Sequence, residues 1–343
     1  MPQTTKPLVI SAPHPRSLDL IFTDEARRIL HDRYTIVETD PDLVAALDTE
    51  TLASARYVIG QPPVAPDTLS LMTNLRAVLN VESNLIDNMP YEDIFRRGIH
   101  VLTTGAVFAV PVAELGLAMA LNLARQIVDA DIDFRRGREQ WGGEGNQHAR
   151  LITGAEVGVV GFGDLGRALR RLLAGFGCTV RAHDPWLPAS ILREADMIPA
   201  SLDEVLLHSD FVFVLAAVTT ENRGFLGAGE FARMKRGAAL ILLSRADVVD
   251  FGALMDAVRD GHIVAASDVF PEEPLPADHP VRDLPGFLRS AHRAGALDSA
   301  FKQMGEMVLE DMDLMDRDLP PVRCKRAERE TVGRMRSKPV AIN

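Results

Sequence analysis

Residues 156–186, EVGVVGFGDLGRALRRLLAGFGCTVRAHDPW, decide the fold. An apolar run typical of a buried strand leads into Gly161, Gly163 and Gly166, which have G-x-G-x-x-G spacing, and a helical pattern follows them. Asp184 closes the next apolar run, 18 residues after Gly166. A strand, a glycine turn, a helix and a second strand that ends in an acid predict a dinucleotide-binding βαβ unit.

Each part of this unit has a physical task. Gly161 permits a tight turn, Gly163 lets the backbone approach a pyrophosphate, and Gly166 lets the helix pack closely on the strand. Backbone N–H groups in the first helical turn, at Asp164, Leu165 and Gly166, would bind the phosphates. The alternative is a glycine turn in a doubly wound fold that binds no nucleotide.

Asp184 bears on the choice of nucleotide. Its carboxylate can accept hydrogen bonds from the ribose hydroxyls, and it would repel a 2′-phosphate. Pro185 and Trp186, which follow it, supply no compensating cation. We therefore predict NAD rather than NADP as the cofactor.

The alternation of short apolar runs with helical patterns covers nearly the whole chain, which predicts an α/β protein with mostly parallel sheets. With 343 residues the chain is long for one core, so two domains are expected. One helical pattern, from Pro111 to Gly137, predicts a single long helix that bridges domains, lines a subunit interface or lies in a core. The basic tail from Pro320 is expected to be solvated or to cover a partner.

Composition disfavours several classes of function. The net charge of −11 argues against a nucleic-acid-binding surface, and no apolar run approaches the roughly 18 residues of a membrane span. Cys178 and Cys324 are the only cysteines, too few for a disulfide framework or a metal cluster. We therefore predict no metal site and a cytoplasmic location.

Polar groups follow three apolar runs in the second half of the chain. Arg245 follows LILLS, Asp268 follows VAAS, and His292 follows the last short run. Because ligands bind at the carboxyl ends of parallel strands, we expect these side chains to lie together beside the dinucleotide. An arginine can hold a carboxylate and a histidine can move a proton, so the set predicts hydride transfer at an alcohol carbon. Taken singly, His292 could be structural and Arg245 a surface ion-pair partner.

The segment DVFPEEPLP, residues 268–276, places Glu272 and Glu273 among three prolines, which exclude a helix or a central strand. Neighbours in an extended chain point to opposite sides, so one of the two glutamates should face solvent. A carboxylate held beside an imidazole would orient the ring and stabilise its charged form.

Several motifs occur in the order of one known family. They include AELGLAMALNLAR, VGVVGFGDLGRAL, SRADVVDFGALMDAVRDGHI, DVFPEEPLPADHPV and SAHRAG. By these motifs the chain resembles the D-isomer-specific 2-hydroxyacid dehydrogenases, from around residue 55 to 320. The resemblance implies an NAD-dependent oxidoreductase that interconverts a D-2-hydroxy acid and its 2-oxo acid, with a small anionic substrate and a homodimeric assembly.

The resemblance also implies the domain arrangement. A Rossmann NAD-binding domain, residues 111–298, is expected to be inserted into a flavodoxin-like substrate domain, residues 1–110 and 299–343. Both domains would be doubly wound parallel sheets, with the site in the cleft between them.

Four residues take functional positions by this resemblance. Arg245 takes the substrate-binding arginine position, and His292 takes the acid/base position. Glu273 takes the position of the glutamate that pairs with the histidine. Asp268 takes the position that contacts the nicotinamide carboxamide.

The chain departs from the family pattern in its substrate loop. Ser83, Asn84 and Leu85 stand where the family has a G-x-G loop that binds the substrate carboxylate. A hydroxyl or amide there could bind a polar substituent or narrow the pocket. Ser290 and Ala291 also replace the usual threonine and proline before the histidine.

Two other functions share the fold. Formate dehydrogenases resemble the chain but carry glutamine at the position of Glu273, which argues against formate. NAD(H)-binding regulators of the co-repressor type can retain the same three catalytic groups. A panel of 2-oxo acids with NADH would separate the enzyme from the regulator.

Overall fold

The computed structural model describes residues 6–82 and 85–335. The chain divides into two compact units: one runs to Phe108 and resumes at Ala296, and the other is Ala109–Gly295. Elements are numbered along the chain.

The first unit is a sheet flanked by helices, with strand order β13-β5-β4-β3-β1-β2. Its strands are β1 (Leu8–Ser11), β2 (Thr35–Glu38), β3 (Ala55–Ile59), β4 (Ala77–Asn80), β5 (His100–Thr103) and β13 (Lys325–Arg326). Its helices are α1 (Leu18–Ile21), α2 (Asp24–Arg33), α3 (Thr49–Ser54), α4 (Pro66–Leu71), α5 (Tyr91–Arg96) and α13 (Asp298–Asp316). The pairs from β2 to β5 are parallel, and β13 pairs with β5 antiparallel. The order 2-1-3-4-5 is the flavodoxin-like doubly wound order.

The second unit has strand order β12-β11-β10-β9-β6-β7-β8, and all of these pairs are parallel. Its strands are β6 (Glu156–Val160), β7 (Thr179–His183), β8 (Ile198–Pro199), β9 (Phe211–Val214), β10 (Ala239–Leu242), β11 (Val264–Ser267) and β12 (Phe287–Arg289). Its helices are α6 (Ala109–Arg125), α7 (Ile127–Arg135), α8 (Asp164–Leu173), α9 (Ala189–Glu194), α10 (Leu202–His208), α11 (Ala228–Arg233) and α12 (Phe251–Arg259). This is the Rossmann order, extended by one strand.

The continuous apolar runs become central strands because helices cover both faces of each sheet. Strands β9 and β10 are buried at every residue, as expected for parallel strands with two covered faces. The predicted fold class, two doubly wound parallel-sheet domains, is confirmed.

The prediction of one helix from Pro111 to Gly137 is wrong. Gln126 adopts left-handed backbone angles, φ 52° and ψ 39°, and separates α6 from α7. Helix α6 packs on α8 and β10, and Gly116 of α6 leaves no room for a Cβ because Leu243 Cδ1 lies against it. The apolar segment Gly105–Arg125, which contains α6, is long and apolar enough to span a membrane. The sequence patterns predict no apolar segment of this length. A core helix of a soluble protein passes the same test of length and composition.

Residues 321–335 of the tail, expected to be solvated or to cover a partner, are partly folded onto the first unit. Strand β13 extends the first sheet, and Ala327 and Val332 are buried in that unit's core. The fully buried carboxylate of Asp311 holds the start of the tail, because it accepts hydrogen bonds from the N–H groups of residues 322–324 at 2.8–2.9 Å. Arg336 and Lys338 of the basic tail lie outside the described residues.

Candidate active site

The glycine loop after β6 is shaped by contacts that only glycine permits. Gly161 has φ +92°, and a Cβ there would lie 2.7 Å from Ala216 Cα. A Cβ on Gly166 would lie 2.8 Å from the carbonyl oxygen of Gly161, so α8 packs directly on the loop. At Gly163, which caps α8, a Cβ would meet no atom within 4 Å. The loop is therefore closed toward the protein and open at its middle glycine, as a phosphate cradle requires.

Asp184 follows β7 and holds this loop. Its Oδ2 accepts a hydrogen bond from the Phe162 N–H at 2.8 Å, and its Oδ1 accepts one from the Trp186 N–H at 2.9 Å. Each carboxylate oxygen can accept a further bond, so a ribose hydroxyl can still be bound. The sequence pointed to Asp184 as a ribose ligand but missed its bond to the glycine loop.

A cavity of about 310 Å³ adjoins Asp184. Its lining includes the carboxylates of Asp184 and Glu204, and neither lysine nor arginine is among the residues that line it. Two acidic side chains, with no lysine or arginine in the described lining, fit a ribose with a free 2′-hydroxyl better than one with a 2′-phosphate. The cradle and this cavity together fit NAD.

His292 and Glu273 form a pair in the second unit. His292 Nδ1 lies 2.5 Å from Glu273 Oε2, although 19 residues separate them. An ionised carboxylate only accepts hydrogen bonds, so Nδ1 carries the proton and Nε2 is the nitrogen that can exchange one. Nε2 has no hydrogen bond to the described part of the chain, and the side chain is 37% exposed. Glu272 is exposed and Glu273 is partly buried, so the two adjacent acids differ in environment.

The environment of Glu273 favours its charged form. Partial burial opposes ionisation, but the hydrogen bonds from His292 and from the Phe270 N–H outweigh it. The positive charge of Arg245 acts in the same direction, and the pKa of Glu273 lies below its usual range. Glu273 is thus a carboxylate that faces an imidazole near neutral pH.

Asp268 holds the histidine loop, a role that the sequence did not reveal. Its side chain is 1% exposed and accepts hydrogen bonds from the N–H groups of Arg293 and Ala294, each at 3.0 Å. Its carbonyl accepts the His292 N–H at 2.8 Å. These three bonds hold His292 at φ +47°, a left-handed conformation that costs free energy outside glycine. An acid that directly follows a buried strand was the available signal, because it must find donors nearby.

Arg245 follows β10 at the carboxyl end of the same sheet. Its side chain is half-buried, and Nη1 donates a hydrogen bond to the Ser244 carbonyl at 2.6 Å. The charge of Arg245 lowers the pKa of Glu273, so Arg245 lies close enough to the pair of Glu273 and His292 to act on it electrostatically.

The predicted substrate loop belongs to the first unit. Ser83 and Asn84 lie outside the described residues. The Leu85 side chain is 7% exposed and packs in the core of this unit, so only its backbone is available for binding.

An amide network beside this loop was missed by sequence reasoning. Gln61 Oε1 accepts hydrogen bonds from Asn80 Nδ2 at 2.7 Å and from the Ile86 N–H at 3.3 Å. Gln61 Nε2 donates to the Ile86 carbonyl at 2.6 Å and to Asn88 Oδ1 at 2.9 Å. Asn80 Oδ1 in turn accepts the Glu82 N–H at 2.9 Å. Side-chain amides, rather than glycines, hold both ends of the loop.

Several known proteins are similar to this chain in sequence and fold. The family profile described as "D-isomer specific 2-hydroxyacid dehydrogenase, NAD binding domain" matches residues 117–294. A glyoxylate reductase of Aeropyrum pernix is 30% identical over 298 residues, 84% of this chain and 88% of the relative. A glyoxylate/hydroxypyruvate reductase B of Pectobacterium carotovorum is 30% identical over 278 residues, 80% of this chain and 86% of the relative. The crystal structure of a phosphoglycerate oxidoreductase from Rhizobium etli is 69% identical, with a TM-score of 0.88, and the match covers 95% of this chain and all of that one.

A Rossmann unit with this cradle, in a chain with these relatives, defines an NAD-dependent oxidoreductase. The chain belongs to the D-isomer-specific 2-hydroxyacid dehydrogenases. The predicted family, enzyme class and cofactor are confirmed.

Proposed function

We propose that the protein interconverts a small D-2-hydroxy acid and its 2-oxo acid, with His292 as the acid/base. The observation that carries this proposal is the pair between His292 Nδ1 and Glu273 Oε2 at 2.5 Å, which leaves Nε2 to exchange a proton. When bound, the nicotinamide supplies or accepts the hydride.

His292 moves the proton in both directions. During oxidation, neutral His292 accepts the hydroxyl proton at Nε2, and during reduction protonated His292 returns it to the forming alkoxide. Glu273 orients the ring through Nδ1 and stabilises the imidazolium. Asp268 keeps the loop of His292 in place through the bonds to Arg293 and Ala294, and it remains our candidate for the contact with the nicotinamide carboxamide.

Arg245 holds the substrate carboxylate in this proposal. A guanidinium binds a carboxylate with two parallel hydrogen bonds and places its charge beside the carbonyl that is reduced. The substrate-binding role of Ser83, Asn84 and Leu85 stays a proposal that rests on the resemblance.

The relatives suggest the substrate range. Their names specify glyoxylate, hydroxypyruvate and phosphoglycerate. We propose that this chain acts on small anionic 2-oxo acids of this kind. The test is NADH oxidation, followed by absorbance, over a panel of 2-oxo acids with NADPH in parallel. Tight NADH binding without turnover of any 2-oxo acid would reject the proposed reaction.

Changing Asp184 to Asn is expected to raise the KM for NADH about 10-fold, because a charge-assisted hydrogen bond to the ribose is weakened. The discrimination against NADPH should fall, since the repulsion of a 2′-phosphate is removed. Steady-state kinetics with both nucleotides measure this. Glu194→Gln removes an exposed acid of α9 that does not line this cavity and serves as the control. Equal effects of the two substitutions would contradict the role of Asp184.

We propose a homodimer that meets through α7 and its surroundings. No residue of α7 is buried, yet large apolar side chains are exposed on and around it: Ile127, Val128, Ile132, Phe134 and Trp141. An isolated short helix gains stability from packing an apolar face, so these side chains need a cover. The unpaired thiols of Cys178 and Cys324 fit the cytoplasmic location that we also propose.

Changing Phe134 to Glu is expected to shift the protein from dimer to monomer, because a charge would be buried in the interface. Light scattering during gel filtration measures the mass against the 37.5 kDa chain. Leu43→Glu, at an exposed leucine of the first unit, is the control and should leave the mass unchanged. A monomeric wild-type protein would reject this interface.

A further inference from the structure

Arg16 stands at a place in the first unit where doubly wound folds bind ligands. The strand that follows β1 in the chain, β2, lies on one side of it, and the strands that follow β3 lie on the opposite side. The direction of the strand order 2-1-3-4-5 therefore reverses between β1 and β3. Ligands bind outside the carboxyl ends of the strands at such a reversal. Arg16 follows the carboxyl end of β1, and none of the roles described above involves it.

Two aromatic rings hold the Arg16 guanidinium. Its Cζ lies 4.7 Å from the centre of the Phe301 ring and 5.5 Å from that of Phe108, and the two rings meet edge to face. Contacts of this kind stabilise a cation over the ring faces and restrict the movement of the side chain. The in-plane N–H donors of a guanidinium are not consumed by such contacts.

One donor of the Arg16 side chain is not satisfied by the part of the chain that the structure describes. Its Nε is buried, and no oxygen among residues 6–82 and 85–335 accepts a hydrogen bond from it. Burial lowers the pKa of Arg16, and the nearby negative charge of Glu82 opposes that change. Arginine keeps its proton under such conditions, so the charge remains and one buried donor stays without a partner among the described residues.

An oxyanion would remove this deficit. The fork of a guanidinium matches the oxygens of a phosphate or carboxylate in two parallel hydrogen bonds. Glu82, the carboxylate that acts on Arg16, directly precedes the predicted substrate loop. Arg16 therefore lies near Glu82, which follows the carboxyl end of β4.

We propose that Arg16 determines substrate specificity by binding a second anionic group of the substrate, beyond the carboxylate of the 2-oxo acid. The substrate class is a small 2-hydroxy or 2-oxo acid that carries a phosphate or a further carboxylate. This inference rests on the proposed function.

The test compares 2-oxo acids that differ in charge. Hydroxypyruvate and glyoxylate have one anionic group, 3-phosphohydroxypyruvate adds a phosphate, and oxaloacetate adds a carboxylate. We expect kcat/KM of the wild-type protein to be at least about 10-fold higher for one of the doubly anionic acids. The two doubly anionic acids distinguish phosphate from carboxylate.

Arg16→Gln is expected to lower kcat/KM for the preferred doubly anionic acid about 10- to 100-fold, mainly through KM, with less than about 3-fold change for hydroxypyruvate. Arg16→Lys keeps the charge without the fork and should retain part of the preference. Arg28→Gln, at an exposed arginine of α2, removes the same charge and is the control. Calorimetric binding of 3-phosphoglycerate to the NAD-loaded wild type and variants gives a readout independent of turnover.

The outcomes separate the two proposals. If no 2-oxo acid is reduced by the wild type, the proposed reaction fails. If hydroxypyruvate is reduced but Arg16→Gln and Arg16→Lys lower all substrates equally, or the control matches them, Arg16 is a structural residue and the inference is overturned.

Discussion

Changing His292 to Ala is expected to lower kcat about 1000-fold, while the affinity for NADH changes less than about 3-fold. Alanine removes the nitrogen that takes the hydroxyl proton, and no second imidazole pairs with Glu273 among the residues that the structure describes. The cradle and Asp184 are distant in the chain from this loop and keep their contacts. Stopped-flow or steady-state NADH oxidation measures the loss, and NADH fluorescence titration measures binding.

His208→Ala is the matched control, because His208 is exposed at the end of α10 and its loss should leave kcat unchanged. Added imidazole should restore part of the rate in His292→Ala if the ring acts as an acid/base. Retention of wild-type turnover by His292→Ala would remove the assignment.

Changing Glu273 to Gln is expected to lower kcat about 100-fold, because the amide can no longer enforce the tautomer with its proton on Nδ1 or stabilise the imidazolium. Glutamine keeps the size of the side chain and an oxygen for the Phe270 N–H, so the segment 268–276 should stay folded. Glu272→Gln removes a neighbouring charge that is exposed, and its kcat should stay within about 2-fold of wild type.

The stability difference between the wild-type protein and Glu273→Gln should also depend on pH. The pKa of Glu273 is lowered in the folded protein, so its stabilising contribution is complete above the unfolded pKa of about 4.3 and disappears as pH falls through the folded value. Thermal melts should therefore separate wild type from Glu273→Gln at pH 7 and converge in acid. Indistinguishable kinetics of Glu272→Gln and Glu273→Gln would contradict the pairing with His292.

Local patterns were enough for the family, the fold class and the cofactor. The apolar run before Gly161, the spacing of the three glycines and the acid at position 184 are all contained in 31 residues. Strand burial follows from unbroken apolar runs such as FVFV at Phe211–Val214, since covered parallel strands need no alternation. These features depend on neighbours in the chain, which a sequence displays directly.

Predictions that depended on distant partners were less complete. The helix breaks at Gln126, although the sequence pattern is helical on both sides of this residue and no proline or glycine marks the break. The tail folds because Asp311, fully buried on α13, accepts its N–H groups, which composition alone cannot indicate. The charge and polarity of a segment predict that it is solvated only when the fold offers no buried acceptor for its backbone N–H groups.

The sequence by itself determined the class of enzyme, the Rossmann cradle and the residue types available for proton transfer and carboxylate binding. Only the tertiary structure decided which atoms meet: His292 Nδ1 bonds Glu273 Oε2, Asp268 holds the histidine loop, and Arg16 lies against the rings of Phe108 and Phe301. The physical reason is distance along the chain. The residues in these hydrogen bonds and ring contacts are 19 to nearly 300 positions apart in the chain. Within each unit, the order of the strands decides which loops meet at the carboxyl edge of the sheet, and no local pattern encodes that geometry.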